Sequence, residues 1–457
     1  MKRIFTLFAA AVAAVTMCAR TAESGMCGAD LTWFYNPSDN SLTIAGTGPM
    51  TNYSANNQAP WFGYNDKITK IILEPGMTTI GDYAFYGLTY VANEIDIPEG
   101  VTSIGDYAFD LCTSVRDIYI PYGVKTIGEA AFGVCTKLSY VELPYGVTSI
   151  GSYAFAWTGI DAVVIPATVS SIGDYAFQNC PNLRWIHNLA TNPQTINANV
   201  FEYTDKSKIT LMVPDYAYNN YSKPQWIEFE RRSFPTNYDV ENSNYQLAMN
   251  FETGVLTLTG TGVLPQGIEY DDDLGWYYIS YAFFTSQITQ LSLPAGMTGI
   301  GEESFAGLYS LTSVKIPYGV AILKEGAFWS CSALETVEIP GSTVIIEDKV
   351  FADCRSLKTV YNYATVPQTI NWNVFDNVDI SKCTLYVPKG SKAAYKAANV
   401  WKEFIIEEIA EPGKEGIENT PSPLWGESER GYKFLRNGML LIERNGKTYT
   451  TSGTEVR

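Results

Sequence analysis

The chain has 457 residues, with 31 Lys+Arg against 48 Asp+Glu for a formal net charge of −17, and its one histidine is His187. A hydrophobic content of 46% with 14% aromatics suffices for packed cores and excludes general disorder. The acid excess opposes contact with phosphate backbones, and one imidazole excludes His-based triads and multi-His metal sites, so no nucleic acid, metal, cofactor or enzymatic activity is expected.

Lys2 and Arg3 precede an apolar run from Ile4 to Met17, the layout of a secretory signal peptide assigned to residues 1–22. Cys18 follows Val15-Thr16-Met17, similar to a lipoprotein box except for bulky Met17, so lipidation at Cys18 is the weaker alternative. No later stretch reaches the ~20 apolar residues of a membrane-spanning helix. No transmembrane span is therefore expected. The chain reads as exported, to the cell surface or outer membrane or into the medium.

Beyond this leader, most of the chain repeats with a period of about 23 residues, within the leucine-rich-repeat range. Phe85, Phe109, Phe132, Phe155, Phe177 and Phe201 mark one phase, and Phe305, Phe328, Phe351 and Phe375 a second. A unit of this size cannot bury its apolar face alone, so neighbours must stack into a solenoid. Within a unit, Val115 to Ile120 alternate apolar and polar and end at Pro121, as a short parallel strand would. Gly123 then turns the chain, Val124 and Ile127 return to the core, and Glu129 to Cys135 read as a short helical turn.

Three residues before most phenylalanines stands a carboxylate, such as Asp82, Asp106, Glu129, Asp174, Glu302, Glu325 or Asp348. These acids are expected to satisfy backbone N–H groups at the start of each turn rather than to form a catalytic or calcium ladder. Three residues after each phenylalanine the slot takes Leu88, Cys112, Cys135, Thr158, Cys180, Thr204, Leu308, Cys331, Cys354 or Val378. Thiols there are expected to be buried and free, packing as small hydrophobes. Asp271-Asp272-Asp273 reads as a solvated loop.

The consensus Ile-Pro-x-Gly-Val-x-x-Ile-Gly-x-x-Ala-Phe-x-x-Cys, in phase over about 71–213 and 291–388, resembles the BspA-like (Treponema-type) leucine-rich repeat of bacterial surface proteins. Cys27 to Trp33 with Ser41 to Gly48 resembles the hairpin that often opens such arrays, and it returns at Leu256 to Gly262. Pro193-Gln194-Thr195-Ile196-Asn197 likewise returns as Pro367-Gln368-Thr369-Ile370-Asn371. The fold class expected is an α/β solenoid: two leucine-rich-repeat arrays with short parallel strands and short helical turns, each opened by a β-hairpin cap. The segments are a 27–70 cap, a 71–235 first array with its terminal unit, a 236–290 second cap and a 291–410 second array with its terminal unit. A Pro/Gly linker at 411–430 and a β-meander at 431–457 complete the chain, the latter marked by Asn437-Gly438 and Asn445-Gly446 and somewhat similar to the sorting elements of Bacteroidetes secreted proteins.

Outward strand residues of a solenoid form one continuous face, the usual binding surface. In the first array these include Asp96, Asp117, Tyr119, Tyr140 and Glu142; in the second, Lys315 and Glu338, with Tyr122, Tyr145 and Tyr318 on the rim. Tyrosine offers contact area with a polar tip at low entropic cost, which suits protein or sugar recognition. The resemblance implies an adhesin-like protein that binds a host matrix or bacterial surface protein, and the chain is expected to be non-catalytic and monomeric. The alternative is glycan capture at the outer membrane by the tyrosine rows.

Overall fold

The structure, a computed structural model, describes residues 23–92, 94–240, 243–265 and 285–409, and the backbone of strands within 431–456. The expected signal peptide, Cys18, the Asp271–Asp273 loop and the 411–430 linker lie outside the described residues. The chain divides into a unit ending at Ile409 and a second from Ala410. In the second, Gly431–Arg436, Met439–Arg444, Lys447–Thr450 and Glu455–Val456 form an antiparallel meander.

The larger unit is a β-solenoid of stacked parallel strands with few helices. It opens with Glu23–Met26, Gly28–Asn36 and Ser41–Met50 paired antiparallel. Ser41–Met50 then pairs parallel with both Lys70–Leu73 and Met77–Ile80, so one long strand seeds two ladders. Most coils contribute a short strand to each ladder, for example Ile118–Tyr119 and Thr126–Ile127. The expected single strand per coil undercounts this: Val124 to Ile127 ends in a strand of its own. After Glu230–Phe234 the pattern restarts with antiparallel Asn237–Asp239, Gln246–Asn250 and Val255–Thr259, the last pairing parallel with Gln290–Ser292. Two cores result, from Cys27 to Phe229 and from Val240 to Ile406.

The phenylalanines form the axis of each core. Adjacent rings lie 5.0–5.7 Å apart at 7–21°, from Phe85 to Phe201 and again from Phe305 to Phe375. At the far ends the same device closes both stacks. Trp226 donates its indole N–H to Gln194 O (2.8 Å) and Tyr221 its hydroxyl to Ala190 O (2.8 Å). Trp401 and Tyr395 do the same to Gln368 O and Ala364 O, each at 2.9 Å.

The turn expected to be helical at Glu129–Cys135 is not a helix. Ala130 (φ 47°) and Val134 (φ 55°) lie in the left-handed region, as do Tyr107 and Leu111 one coil earlier. Alternating handedness flattens the turn and aims every second N–H along the solenoid axis: Tyr107 donates to Glu129 O (2.7 Å), Phe109 to Ala131 O (2.8 Å) and Leu111 to Gly133 O (2.9 Å). A helix would spend those donors within its own coil. The carboxylates serve the same inter-coil direction. Asp82 accepts the N–H of Asp106 (2.9 Å), and Asp106 that of Glu129 (2.7 Å), so each acid satisfies the neighbouring coil rather than its own turn.

Coils approach closely at Gly128, where a Cβ would lie 2.6 Å from the backbone nitrogen of Asp106. In the second stack Lys324 and Glu347 replace this glycine and pair at 3.1 Å instead.

The thiol slot also has a polar role. Cys112, Cys135, Cys331 and Cys354 donate to the carbonyl of the phenylalanine one coil earlier (Phe85, Phe109, Phe305 and Phe328) at 3.2–3.3 Å. Thr204 makes the equivalent bond to Phe177 O at 2.8 Å. At these positions the slot holds a small hydrogen-bond donor, whereas Thr158 bonds Phe155 O within its own coil at 2.8 Å and Val378 brings no donor. The seven described cysteines are buried and unbridged.

Candidate functional site

The outward row of the first stack runs in register: Asp96 beside Tyr119, Glu142 beside Val164, then His187 and Met212. Its composition changes along the row, from acids and tyrosine to apolar residues. The apolar end is covered by the second stack. Val164 and Leu189 form a cluster with Phe234 and Phe251, supported by Met212 and Met249, and Phe234 meets Phe251 edge to face at 5.8 Å. The single histidine lies in this covered stretch, 6.5 Å from the Phe234 ring, and burial pushes its pKa down to about 4.

Several residues expected on an open binding face instead hold the two stacks together. Tyr119 donates its hydroxyl to Glu99 (2.9 Å) and shares a hydrogen bond with the Ser332 hydroxyl (2.8 Å), which also donates to Glu99 (2.9 Å). The Tyr145 N–H donates to Ser286 O (3.0 Å) and its hydroxyl to Glu252 O (2.9 Å). Glu142 accepts the Ser286 N–H at 3.2 Å, and Gln287 donates to Leu143 O at 2.8 Å. Tyr140 faces a cavity at the same junction. The row is therefore not a free face here, because its apolar and hydrogen-bonding groups are satisfied within the chain.

Burial raises the Glu142 pKa to about 7 despite the opposing Ser286 hydrogen bonds. It also raises those of Glu99, Tyr119 and Tyr140, with neighbouring carboxylates adding to the effect on both tyrosines. The remaining first-stack candidates stay open to solvent in part: Asp96 and Asp117 are exposed, and half-buried Tyr122 carries Lys125 5.1 Å above its ring.

Among the described residues, the outward row of the second stack stays open to solvent in part. Lys315, 77% exposed at its side chain, pairs with Glu338 at 2.8 Å, and Tyr318 is 70% exposed. Register carries this row onward from Glu338 to Tyr361, Tyr386 and Glu407. Tyr361 and Tyr386 stack at 4.9 Å and 14°, while Tyr363 donates to Glu338 at 3.3 Å. Sequence reasoning misses Tyr361, Tyr363 and Tyr386 because they lie in or beside the terminal unit, which reads only as a shield for the core. Their signal is nonetheless present: Thr359–Asn362 and Thr384–Val387 continue the same alternation. Among the described residues, no group of three His, Cys, Asp or Glu is placed to hold a metal ion, and no helix is long and apolar enough to cross a membrane.

The model of the BspA type leucine-rich repeat region, in six copies, matches residues 59–184, 148–237 and 279–396, well over half of the chain. The chain belongs to the BspA-type leucine-rich-repeat family. Proteins of this family are in general non-catalytic interaction modules of bacterial surface-protein type. A leucine-rich repeat protein from Eubacterium ventriosum is 23% identical, with 81% of this chain and 78% of that chain covered and a TM-score of 0.35. One from Bacteroides ovatus is 20% identical, over 84% of this chain and all 100% of that one, with a TM-score of 0.29. A leucine rich cell surface protein from Faecalibacterium prausnitzii is 20% identical, over 75% and 95% of the respective chains, with a TM-score of 0.26. No curated protein matches significantly.

Proposed function

We propose that this BspA-type chain is exported, displayed at the cell surface, and binds an extracellular protein of a host or a neighbouring bacterium without catalysis. In this reading residues 1–22 direct export, 27–70 and 236–290 cap two arrays at 71–235 and 291–410, and 411–457 tether or sort the protein as a monomer. The family supports a protein-recognition role. The observation that carries the reading is the outward row of the second stack, Lys315–Glu338–Tyr361–Tyr386–Glu407, which no described residue is seen to cover, with exposed Tyr318 on its rim. Charged groups border a tyrosine centre there, the composition of an interface hot spot. Asp96, Asp117 and Tyr122 would extend the surface on the first stack, while Tyr119, Tyr140, Glu142 and Tyr145 act between the stacks.

Glycan capture by tyrosine rows is the less supported alternative. Sugar stacking needs free ring faces. Tyr361 and Tyr386 turn theirs on each other, as do Tyr83 and Tyr107 at 4.7 Å and Tyr153 and Tyr175 at 4.8 Å. Binding of the exported chain to panels of matrix proteins, mucins and bacterial cells tests the proposal. Tyr361→Ala with Tyr386→Ala, and separately Lys315→Glu, should weaken the selected partner at least ~10-fold. Absence of any saturable protein partner, or wild-type affinity in both variants, would sink it.

A further inference from the structure

Where the stacks meet, a half-open pocket of about 260 Å³ is lined by Glu94, Asp117, Tyr119, Tyr140 and Glu142 of the first stack and by Tyr309 of the second. Ser286 supplies a further polar side chain, and the rings of Tyr119, Tyr140 and Tyr309 supply apolar surface, while Ile118 and Ile120 on either side of Tyr119 belong to the core. Among the described residues, no lysine or arginine lines it. Glu142 meets the donors of Ser286 and no cationic partner among the described residues, so its enclosed carboxylate lacks a counter-charge. Tyr119 and Tyr309 stand edge to face at 5.6 Å and 67°, forming an aromatic corner with Tyr140 also on the lining.

Ring faces attract cations and can pack an alkyl stem, and carboxylates supply the opposite charge. The lining acids are interleaved with rings, and no three acidic, histidine or cysteine groups among the described residues converge enough to hold a metal. That spacing suits an organic cation carrying an alkyl stem over a bare ion. We propose that this pocket binds a primary alkylammonium group, presented either by a free amine or by a lysine side chain. The site differs from the second-stack row invoked for partner binding and stands whether or not that row is used.

Isothermal titration calorimetry on the full chain at low salt and pH 8 tests it with n-butylammonium as probe and n-butanol as the uncharged isostere. Butylammonium should bind saturably and at least ~10-fold more tightly than butanol. Glu142→Gln keeps the side-chain shape and an acceptor for the Ser286 N–H, so it should fold while weakening the amine by a similar factor. Asp117→Asn, at an exposed position, should weaken it without touching the second stack. A Gly-Lys-Gly peptide that binds more tightly than butylammonium, and loses binding on Nε-acetylation, assigns the site to lysine; weaker binding assigns it to free amines. Equal affinity for butanol and butylammonium, no saturation, or unchanged affinity in both folded variants overturns the proposal.

Discussion

Phe132→Ala should be among the most damaging single substitutions in the first stack. The ring is 1% exposed and lies between Phe109 at 5.5 Å and 7° and Phe155 at 5.4 Å and 15°. Removing a buried phenylalanine side chain costs about 3–5 kcal/mol in lost transfer energy and residual cavity. The flanking coils are held by their own strands and have little freedom to collapse into the gap, which favours the upper half of that range. Phe132→Leu refills most of the volume and mainly gives up two ring contacts, each worth about 0.5–1.5 kcal/mol, so it should cost roughly 1–3 kcal/mol. Urea unfolding followed by circular dichroism gives the size of the loss. Hydrogen exchange gives its location: amides of the coils around residues 109–155 should lose protection while those around 305–375, in the separate second core, keep theirs. A loss below about 1 kcal/mol for the alanine variant, or one spread equally over both cores, would refute the axial role of the phenylalanine column.

The seven described cysteines should resist iodoacetamide in the native chain at pH 8 and all react after unfolding, read by mass spectrometry. Each is buried, and burial pushes thiols such as Cys112 and Cys331 up to about 12, so little thiolate forms. Glu142 has a folded-state pKa of about 7 against an ordinary 4.5, so the folded chain retains a proton that the unfolded chain releases. Its contribution is therefore present below about pH 4.5 and lost as pH rises to about 7, by up to about 3 kcal/mol. Wild type should lose stability relative to Glu142→Gln across that window in paired denaturation curves. Asp110, pushed up to about 6 by burial, slopes the same way in both proteins and cancels in the comparison. Phe251→Asp places a charge in the apolar cluster between the stacks, at a cost of about 3 kcal/mol or more. The stacks should separate, raising the radius of gyration in small-angle scattering while circular dichroism stays unchanged. An unchanged radius would refute the contact.

The repeat, its phase and the solenoid were legible because a 23-residue period with a phenylalanine at each coil leaves one way to bury the apolar residues: stacking. The buried thiols were legible from slot composition alone, but their donor role was not, since the accepting carbonyl belongs to another coil. The helical reading of Glu129–Cys135 failed for a related reason. Local sequence favoured a turn, while the left-handed residues at Ala130 and Val134 depend on hydrogen bonds that only a neighbouring coil supplies.

Sequence by itself determined which residues point out of the strands, because side-chain alternation is a local property of the extended backbone. It placed Tyr119, Glu142 and Lys315 in one class. Only the tertiary structure divided that class. Val164, Leu189 and Met212 make part of the first outward row apolar, and the second stack covers it, turning Tyr119 and Glu142 inward while Lys315 stays in solvent. Exposure depends on what else the chain brings to a face, and residues more than a hundred positions away decide that.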